Sequence, residues 1–396
     1  MNRRDFLYAG TALTALTARP MSARSYASIL GANDRVGLGV VGLGRRATVV
    51  TKGFLQDPRV RIVALCDVYD KQAAEYQRVF AANLSQPPMF VEYPKLLAHK
   101  DVDAVLLATP DHLHVQMAVQ AIHAGKNIYM EKPTIHRWSE RDVLMKANEG
   151  NQHALQCGMQ QRSGAHYIRA KQEIFEPKLL GDIVFVRCVW SNFPWQNRKI
   201  AELPQPAGLN WELFLGPAPK VPYETSRYSS WRWYHDYGNG LLADIMTHWA
   251  DVAQWMLDDA QPLNASAVGG KYHSRDDRDN PDTVSAIVQY KDWNLNFESS
   301  VLPVRDENAS VFFEGTKGTL NITRGGYTFV PNGGEPVKVE NKIELEVPHT
   351  KNFLDGILTG AKLNAPLSAG LDASLPVEMA LQSYWTHKLA TAAELV

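Results

Sequence analysis

The segment Arg35–Ala47, RVGLGVVGLGRRA, constrains this chain more than any other stretch. An apolar run of strand character leads straight into Gly42-Leu43-Gly44-Arg45-Arg46-Ala47. A glycine just after a strand permits a tight turn. A second lets backbone amides approach a ligand at a helix N-terminus, and a small alanine lets the helix pack on the strand. The pattern requires a helix and then a parallel strand ending in an acid. VRIVALCD supplies that strand, with Asp67 at its end, where a carboxylate accepts bonds from ribose hydroxyls. Strand, glycines and acid in register predict a dinucleotide-binding unit. The acid repels a 2′-phosphate, so NAD is expected over NADP, with Arg45 and Arg46 keeping NADP as the lesser alternative.

From Arg35 to Gln161 apolar strands (RVGLGVV, VRIVALCDV, DAVLLAT, NIYME, HALQCG) alternate with amphipathic stretches such as KQAAEYQRVFAAN and LHVQMAVQAIHAG. Continuous apolar strands between amphipathic helices predict a doubly wound parallel sheet covered on both faces. After Gly181 the strands follow one another (DIVFVRCVW, ASAVGGKYH, DTVSAIVQYK, NLNFESSV, ASVFFEG, GTLNITRG), several alternating with period two. This predicts an α/β second domain built on a large, mostly antiparallel open sheet. The helix GLLADIMTHWADVAQWML interrupts the strands early, and two helices close the chain. Domains are expected at 34–161 and 162–396. Phe193–Trp233, rich in Pro, Trp, Tyr and Arg, reads as a long ordered excursion lining a binding site.

Two stretches carry candidate chemistry. YMEKP places Lys132 at the carboxyl end of a parallel strand, where open α/β sheets bind ligands, and Pro133 restricts its backbone. In the interrupting helix, Asp244 and His248 stand four apart, on one helical face at the border of the apolar side formed by Leu241, Ile245, Trp249, Val252 and Trp255. Ionisable groups at the edge of a buried face need a partner or a ligand. A purely structural Asp–His pair would satisfy the same spacing. Lys132 read together with them favours catalysis over a non-catalytic binding protein.

The N-terminus adds an address. MNRRDFLYAGTALTALTA has paired arginines, then an uncharged run from Phe6 to Ala18 and a small-residue stretch at Ser25-Tyr26-Ala27. That is the pattern of a twin-arginine signal, expected at residues 1–27 and read by the export machinery. The run is shorter than the ~18–20 apolar residues of a membrane span. Net charge is −1; losing residues 1–27 removes four arginines and one aspartate, leaving −4. Neither value is a basic footprint for nucleic acid, so a small, neutral molecule is the expected partner. Cys66, Cys157 and Cys188 have no metal or disulfide spacing and read as buried hydrophobes, and no metal site is expected.

With GLGRRA, ATPDHLHVQMAVQAIHAGKNIYMEKP and the D-x-x-x-H helix, the chain from Arg35 to its end resembles the glucose–fructose oxidoreductase / inositol dehydrogenase (Gfo/Idh/MocA) family. The resemblance implies a Rossmann domain and a second α/β domain whose open sheet walls the active site. It implies a carbohydrate or polyol substrate, and the exposed sheet leads to the expectation of a homo-oligomer. Lys132, Asp244 and His248 become the catalytic group. Thr109, Pro110, His112, His114, Glu131, Lys132 and Gln161 join Gly42, Leu43, Gly44, Arg45, Arg46 and Asp67 as cofactor positions. Arg162, Tyr167, Trp195, Arg232, Trp233 and His248 become sugar contacts. Many relatives have glycine between the Asp and the His; here Met246 stands there, which predicts a bulkier pocket wall.

Export and dinucleotide fit together. Twin-arginine export carries folded proteins, and the periplasm has no pool of soluble NAD. A periplasmic or secreted dehydrogenase must therefore carry its cofactor bound and return it to its starting state each cycle. Either a second substrate takes the hydride, or a transient keto-sugar permits redox-neutral glycoside cleavage. The latter would need a further acid or base, with Tyr167, His235, Asp236 and Glu202 as candidates.

Overall fold

The first sheet is organised by β1 (Val36–Val41), in which all six residues are buried. A strand apolar on both sides cannot lie at a solvated edge, and it takes parallel partners on both flanks. The computed structural model describes residues 35–191, 200–302 and 309–395, so the predicted signal segment and Trp195 lie outside the described residues. In chain order come β1, α1 (Arg45–Phe54), β2 (Val60–Cys66), α2 (Asp70–Val79), β3 (Met89–Phe90) and α3 (Tyr93–Leu97). Then follow β4 (Ala104–Leu107), α4 (His114–His123), β5 (Asn127–Met130), α5 (Glu140–Ala147) and β6 (Leu155–Cys157). The sheet order is β3-β2-β1-β4-β5-β6, with every pair parallel. The order reverses between β1 and β4, and the carboxyl ends there open the crevice where such sheets bind ligands. The two-residue β3 is too short for a pattern to reveal.

The second part holds α6 (Ala165–Ala170), β7 (Ile183–Trp190), α7 (Trp211–Leu215), α8 (Thr225–Ser229) and α9 (Thr247–Leu257). It continues with β8 (Asn264–Gly270), β9 (Thr283–Gln289), β10 (Asn294–Ser300), β11 (Ala309–Gly315), β12 (Gly318–Thr323), β13 (Gly326–Pro331) and β14 (Val337–Glu340). Last come α10 (Glu346–Thr359) and α11 (Leu367–Thr386). The eight-stranded sheet runs β14-β13-β12-β11-β7-β10-β9-β8 and is antiparallel except for β7–β10. β9 shows the period-two pattern directly, with Val284, Ala286 and Val288 buried and their neighbours turned outward. Among the described residues no helix is long and apolar enough to cross a membrane.

The end of the chain returns to the first sheet, although the sequence assigns all of 162–396 to the second domain. Phe353 and Leu354 of α10 lie in the core cluster of β1, α1 and β2. The Phe353 ring meets Phe54 and Tyr129 edge to face at 6.0 and 5.8 Å. Helix α11, about 30 Å long at 1.5 Å per residue, buries Leu367, Leu371 and Ala373 in the first core and Val377, Met379, Ala380 and Leu381 in the second. One helix thereby belongs to both cores and ties them together. Phe353→Ala should cost about 3–5 kcal/mol by opening a cavity between α10 and the first sheet; a chemical denaturation midpoint equal to that of the parent protein would contradict this.

Candidate active site

A cavity of about 1230 Å³ runs along the carboxyl ends of β1, β2, β4 and β5 and reaches the helix and strands of the second part. At one end the turn after β1 is built for close approach. Gly42 has φ +80°, and a Cβ there would stand 2.8 Å from the Ala108 carbonyl oxygen. At Gly44 a Cβ would meet nothing within 4 Å, so the backbone at the start of α1 faces open space. Asp67 faces the same space. Its carboxylate accepts from the Leu43 and Tyr69 amides at 2.7 and 2.9 Å, which locks the turn to the end of β2. Burial pushes the Asp67 carboxyl up to about 6 against those amide bonds. A helix N-terminus opening on free space beside a carboxylate with lone pairs to spare fits a dinucleotide.

At the other end Lys132, just beyond β5, reaches across to the second part. Its ammonium donates to the Asp244 main-chain oxygen at 2.7 Å and forms a short ion pair with the Asp244 carboxylate. Arg232 Nε lies 3.3 Å from the same carboxylate. Burial opposes ionisation of Asp244, but the Lys132 and Arg232 cations outweigh it and hold its carboxyl well below the usual range. Asp244 sits in a π-type turn, Leu242–Met246, that leads into α9, and His248 lies in the first turn of α9. The helix is therefore wider here than the simple four-residue spacing assumes, a feature frequent at functional sites. Both side chains still reach the cavity. Met246 is fully buried in the second core, and its side chain does not form the bulkier pocket wall expected of it. Burial, with the cations of Lys132, Arg324 and Arg46, pushes the His248 imidazole well below its ordinary value, so the ring is neutral.

Between the two ends Arg46 ties α1 to both neighbours, with Nε 2.7 Å from Glu131 and Nη1 2.7 Å from Glu346 at the start of α10. Sequence reasoning missed Glu346, Gln160, Trp190, Trp231, Arg324 and Asp111, all of which line the cavity. Asp111 is buried, which pushes its carboxyl up to about 7 although Lys132 and Arg232 pull it down. Its place directly after Thr109-Pro110 at the end of β4 was a signal available in the sequence.

Of the predicted positions, Gly42, Gly44, Arg45, Arg46, Asp67, Thr109, Pro110, Glu131, Lys132, Arg232, Asp244 and His248 line the cavity. Leu43, His112, His114, Gln161, Arg162, Tyr167 and Trp233 are not among its lining residues. Leu43 contributes its amide and carbonyl to the turn, the latter accepting from Gln72 at 2.8 Å. His114 is wedged between the carbonyls of Thr109 and Pro133, at 3.0 and 2.8 Å, and so braces the Lys132-Pro133 segment from behind. His112 contacts the Phe214 carbonyl at 3.0 Å, joining the first sheet to the excursion. Arg162 is spent on buried Asp251, at 2.7 Å. Tyr167 packs against His166 inside the second core, and Trp233 lies under the Arg278 guanidinium. Their neighbours Gln160 and Trp231 face the cavity instead of Gln161 and Trp233, because successive residues of a short 3₁₀ turn point in different directions. Tyr167, His235, Asp236 and Glu202 do not line the cavity either; Glu202, for example, caps the start of α8 through the Thr225 and Ser226 amides. The described part of the excursion does line it, through Asn210, Leu213, Phe214, Tyr228 and Trp231.

Residues 36–159 match the oxidoreductase family with NAD-binding Rossmann fold, and residues 214–321 match the Gfo/Idh/MocA C-terminal domain. Among curated relatives, a Glycosyl hydrolase family 109 protein of Streptomyces niveus is 38% identical over 119 residues, 29% of this chain and 24% of its own length. An inositol 2-dehydrogenase/D-chiro-inositol 3-dehydrogenase of Shouchella clausii is 29% identical over 136 residues, 33% of this chain and 37% of its own. The chain spans about a quarter of the length of the first of these relatives. The solved structure of levoglucosan dehydrogenase in complex with NADH and levoglucosan superposes with a TM-score of 0.72 at 16% identity, covering 91% of this chain and 100% of that one. The two domain matches together take in more than half of the sequence, in the order and on the sheets described above, and the chain belongs to the Gfo/Idh/MocA oxidoreductase family.

Proposed function

We propose that this protein is an NAD-dependent oxidoreductase acting on a CH–OH group of a sugar, glycoside or polyol, with its cofactor held and recycled within each catalytic cycle. The observation that carries the reading is that Lys132, Asp244 and His248 share one cavity with the Gly42–Gly44 turn and Asp67. The relatives named as inositol and levoglucosan dehydrogenases support the substrate class. Bound NAD would supply the hydride acceptor. His248, neutral, takes the hydroxyl proton. Two of the three N–H donors of Lys132 are directed at Asp244, which leaves one for the substrate oxygen. Asp244 balances the charge of Lys132 and fixes where that last donor points.

The relatives named Glycosyl hydrolase family 109 favour a second reading, redox-neutral glycoside cleavage through a transient keto-sugar. It uses the same first oxidation and needs one more acid or base. Asp111, at the cavity wall with its carboxyl near 7, has the pKa such a role requires. Release of the aryl group from aryl glycosides with no net NADH would select it over simple dehydrogenation.

The first prediction tests the catalytic group. Lys132→Ala and His248→Ala should each slow single-turnover reduction of bound NAD by ~10²–10⁴-fold, read at the nicotinamide absorbance band with cofactor occupancy checked. The double variant should lose far less than the product of the two, since the groups act on one oxygen. A normal rate for Lys132→Ala would remove Lys132 from the mechanism.

The second concerns Asp67 and the preference for NAD over NADP. The ionised carboxylate is the form that accepts both ribose hydroxyls, and its value is about 6. NAD affinity should therefore be full above neutral pH and weaken as pH falls through 6. In Asp67→Asn that pH dependence should vanish and discrimination against NADP should shrink. Titration calorimetry at several pH values reads both; a flat profile for the parent protein would refute the assignment.

The third concerns the N-terminus, proposed to direct export to the periplasm with the cofactor already bound. Arg3→Lys with Arg4→Lys keeps the charge and should leave folded, active enzyme in the cytoplasm. Undiminished activity in the periplasmic fraction would show that this stretch is not a twin-arginine signal.

A further inference from the structure

Arg324 stands in the turn between β12 and β13 and lines the catalytic end of the cavity. Its guanidinium lies over the Trp190 ring, 4.5 Å from the centroid. The same ring also neighbours Trp249 at 5.2 Å and His248 at 6.0 Å between centroids. Trp190 therefore links the proposed base and the guanidinium through one ring. Arg324 Nε is buried and has no hydrogen-bond partner among the described residues, and no carboxylate among them lies within ion-pair distance of it.

The nearby acids are already committed. Glu131 and Glu346 are both held by Arg46, and Asp244 by Lys132 and Arg232. Asp111 faces Lys132 and Arg232 rather than Arg324. Lys132, Arg46 and Arg232 are each ion-paired to Asp244, Glu131 or Glu346, and Asp111 also lies by Lys132 and Arg232; among the described residues Arg324 is the cavity-lining cation of this group that has no ion-paired acid. An arginine that lines a cavity without a paired acid offers its planar fork to an anion in that cavity, and arginines so placed serve planar anions through a two-pronged contact.

We propose that the substrate carries a carboxylate, as in a hexuronic acid or its glycoside, and that Arg324 receives it while Lys132 and His248 address the hydroxyl to be oxidised. One guanidinium without an ion-paired acid balances the single charge of one carboxylate, where a phosphate dianion would leave a charge over. This inference rests on the oxidoreductase reading above and narrows its substrate class.

The test uses the NAD-loaded enzyme and matched pairs: methyl glucuronides and galacturonides beside the corresponding methyl glucosides and galactosides, with the hexose 6-phosphates as a third arm. Calorimetric affinity and single-turnover reduction of bound NAD are measured for each. Within at least one pair the acid should bind about ten- to a hundredfold more tightly than its neutral partner, the range of a charged hydrogen-bonded contact. Arg324→Gln should bring the acid-to-neutral ratio close to one, and Arg324→Lys, which keeps charge but loses the fork, should leave it in between. The acid advantage in the parent protein should also fall as salt is raised. Neutral sugars preferred over acids, a preference unchanged in Arg324→Gln, or 6-phosphates preferred over carboxylates would each overturn the proposal. Neutral sugars that bind and reduce NAD while acids do not would overturn it and leave the oxidoreductase reading standing. Failure of every sugar, acid or neutral, to bind or react would overturn both.

Discussion

An ammonium on the first sheet and a carboxylate on the helix of the second part, 112 residues apart in sequence, meet across the cavity, and the arrangement of the site depends on that pair. Neither Lys132 nor Asp244 is well solvated, with side chains 10% and 16% exposed. Leaving either charge without the other would cost several kcal/mol, about 3–5 for a buried pair broken on one side. The two parts of the chain are thus electrostatically required to close in this register. His114 behind the Lys132-Pro133 segment and the π-type turn beneath Asp244 hold the partners so that the remaining donor of Lys132 looks into the cavity.

A second, partly exposed cation repeats the device beside it. Arg46 joins the first turn of α1 to Glu131 beside Lys132 and to Glu346 of the returning helix α10. The glycine-rich turn, the end of β5 and the C-terminal segment are therefore braced through one guanidinium. With the acids engaged in this way, the cavity retains Arg324 as a cation without an acid of its own among the described residues. The same pairing that stabilises the closed arrangement leaves the positive charge that distinguishes one kind of substrate from another.

Local chemistry explains what could be read in advance. The β1–α1 turn and Asp67 lie within one βαβ unit, where geometry is dictated by neighbours in sequence. Lys132, Asp244 and His248 stood out because charged groups beside apolar runs need partners. The errors were of direction and distance. Gln161 and Trp233 face inward while Gln160 and Trp231 face the cavity, a difference of one or two positions decided by short 3₁₀ turns. Arg162 and Tyr167 are expected as substrate contacts by the family resemblance, yet the second part consumes both, Arg162 on buried Asp251 and Tyr167 in its core. Arg324 gave no local signal: a lone arginine in a hairpin turn is ordinarily solvated.

The sequence by itself determined the parallel character of the first sheet, the open, mostly antiparallel character of the second, and the dinucleotide turn with its acid. Each depends on periodicity or on contacts within about thirty residues, which alternating side chains and glycine conformations encode directly. Only the tertiary structure decided that α10 and half of α11 belong to the first core, and that Arg46 bridges Glu131 and Glu346, two glutamates far apart in the chain. It alone set Arg324 on Trp190 beside His248. Those are pairings between segments far apart in sequence, and which charge finds which partner is settled when the two cores close and water is excluded between them.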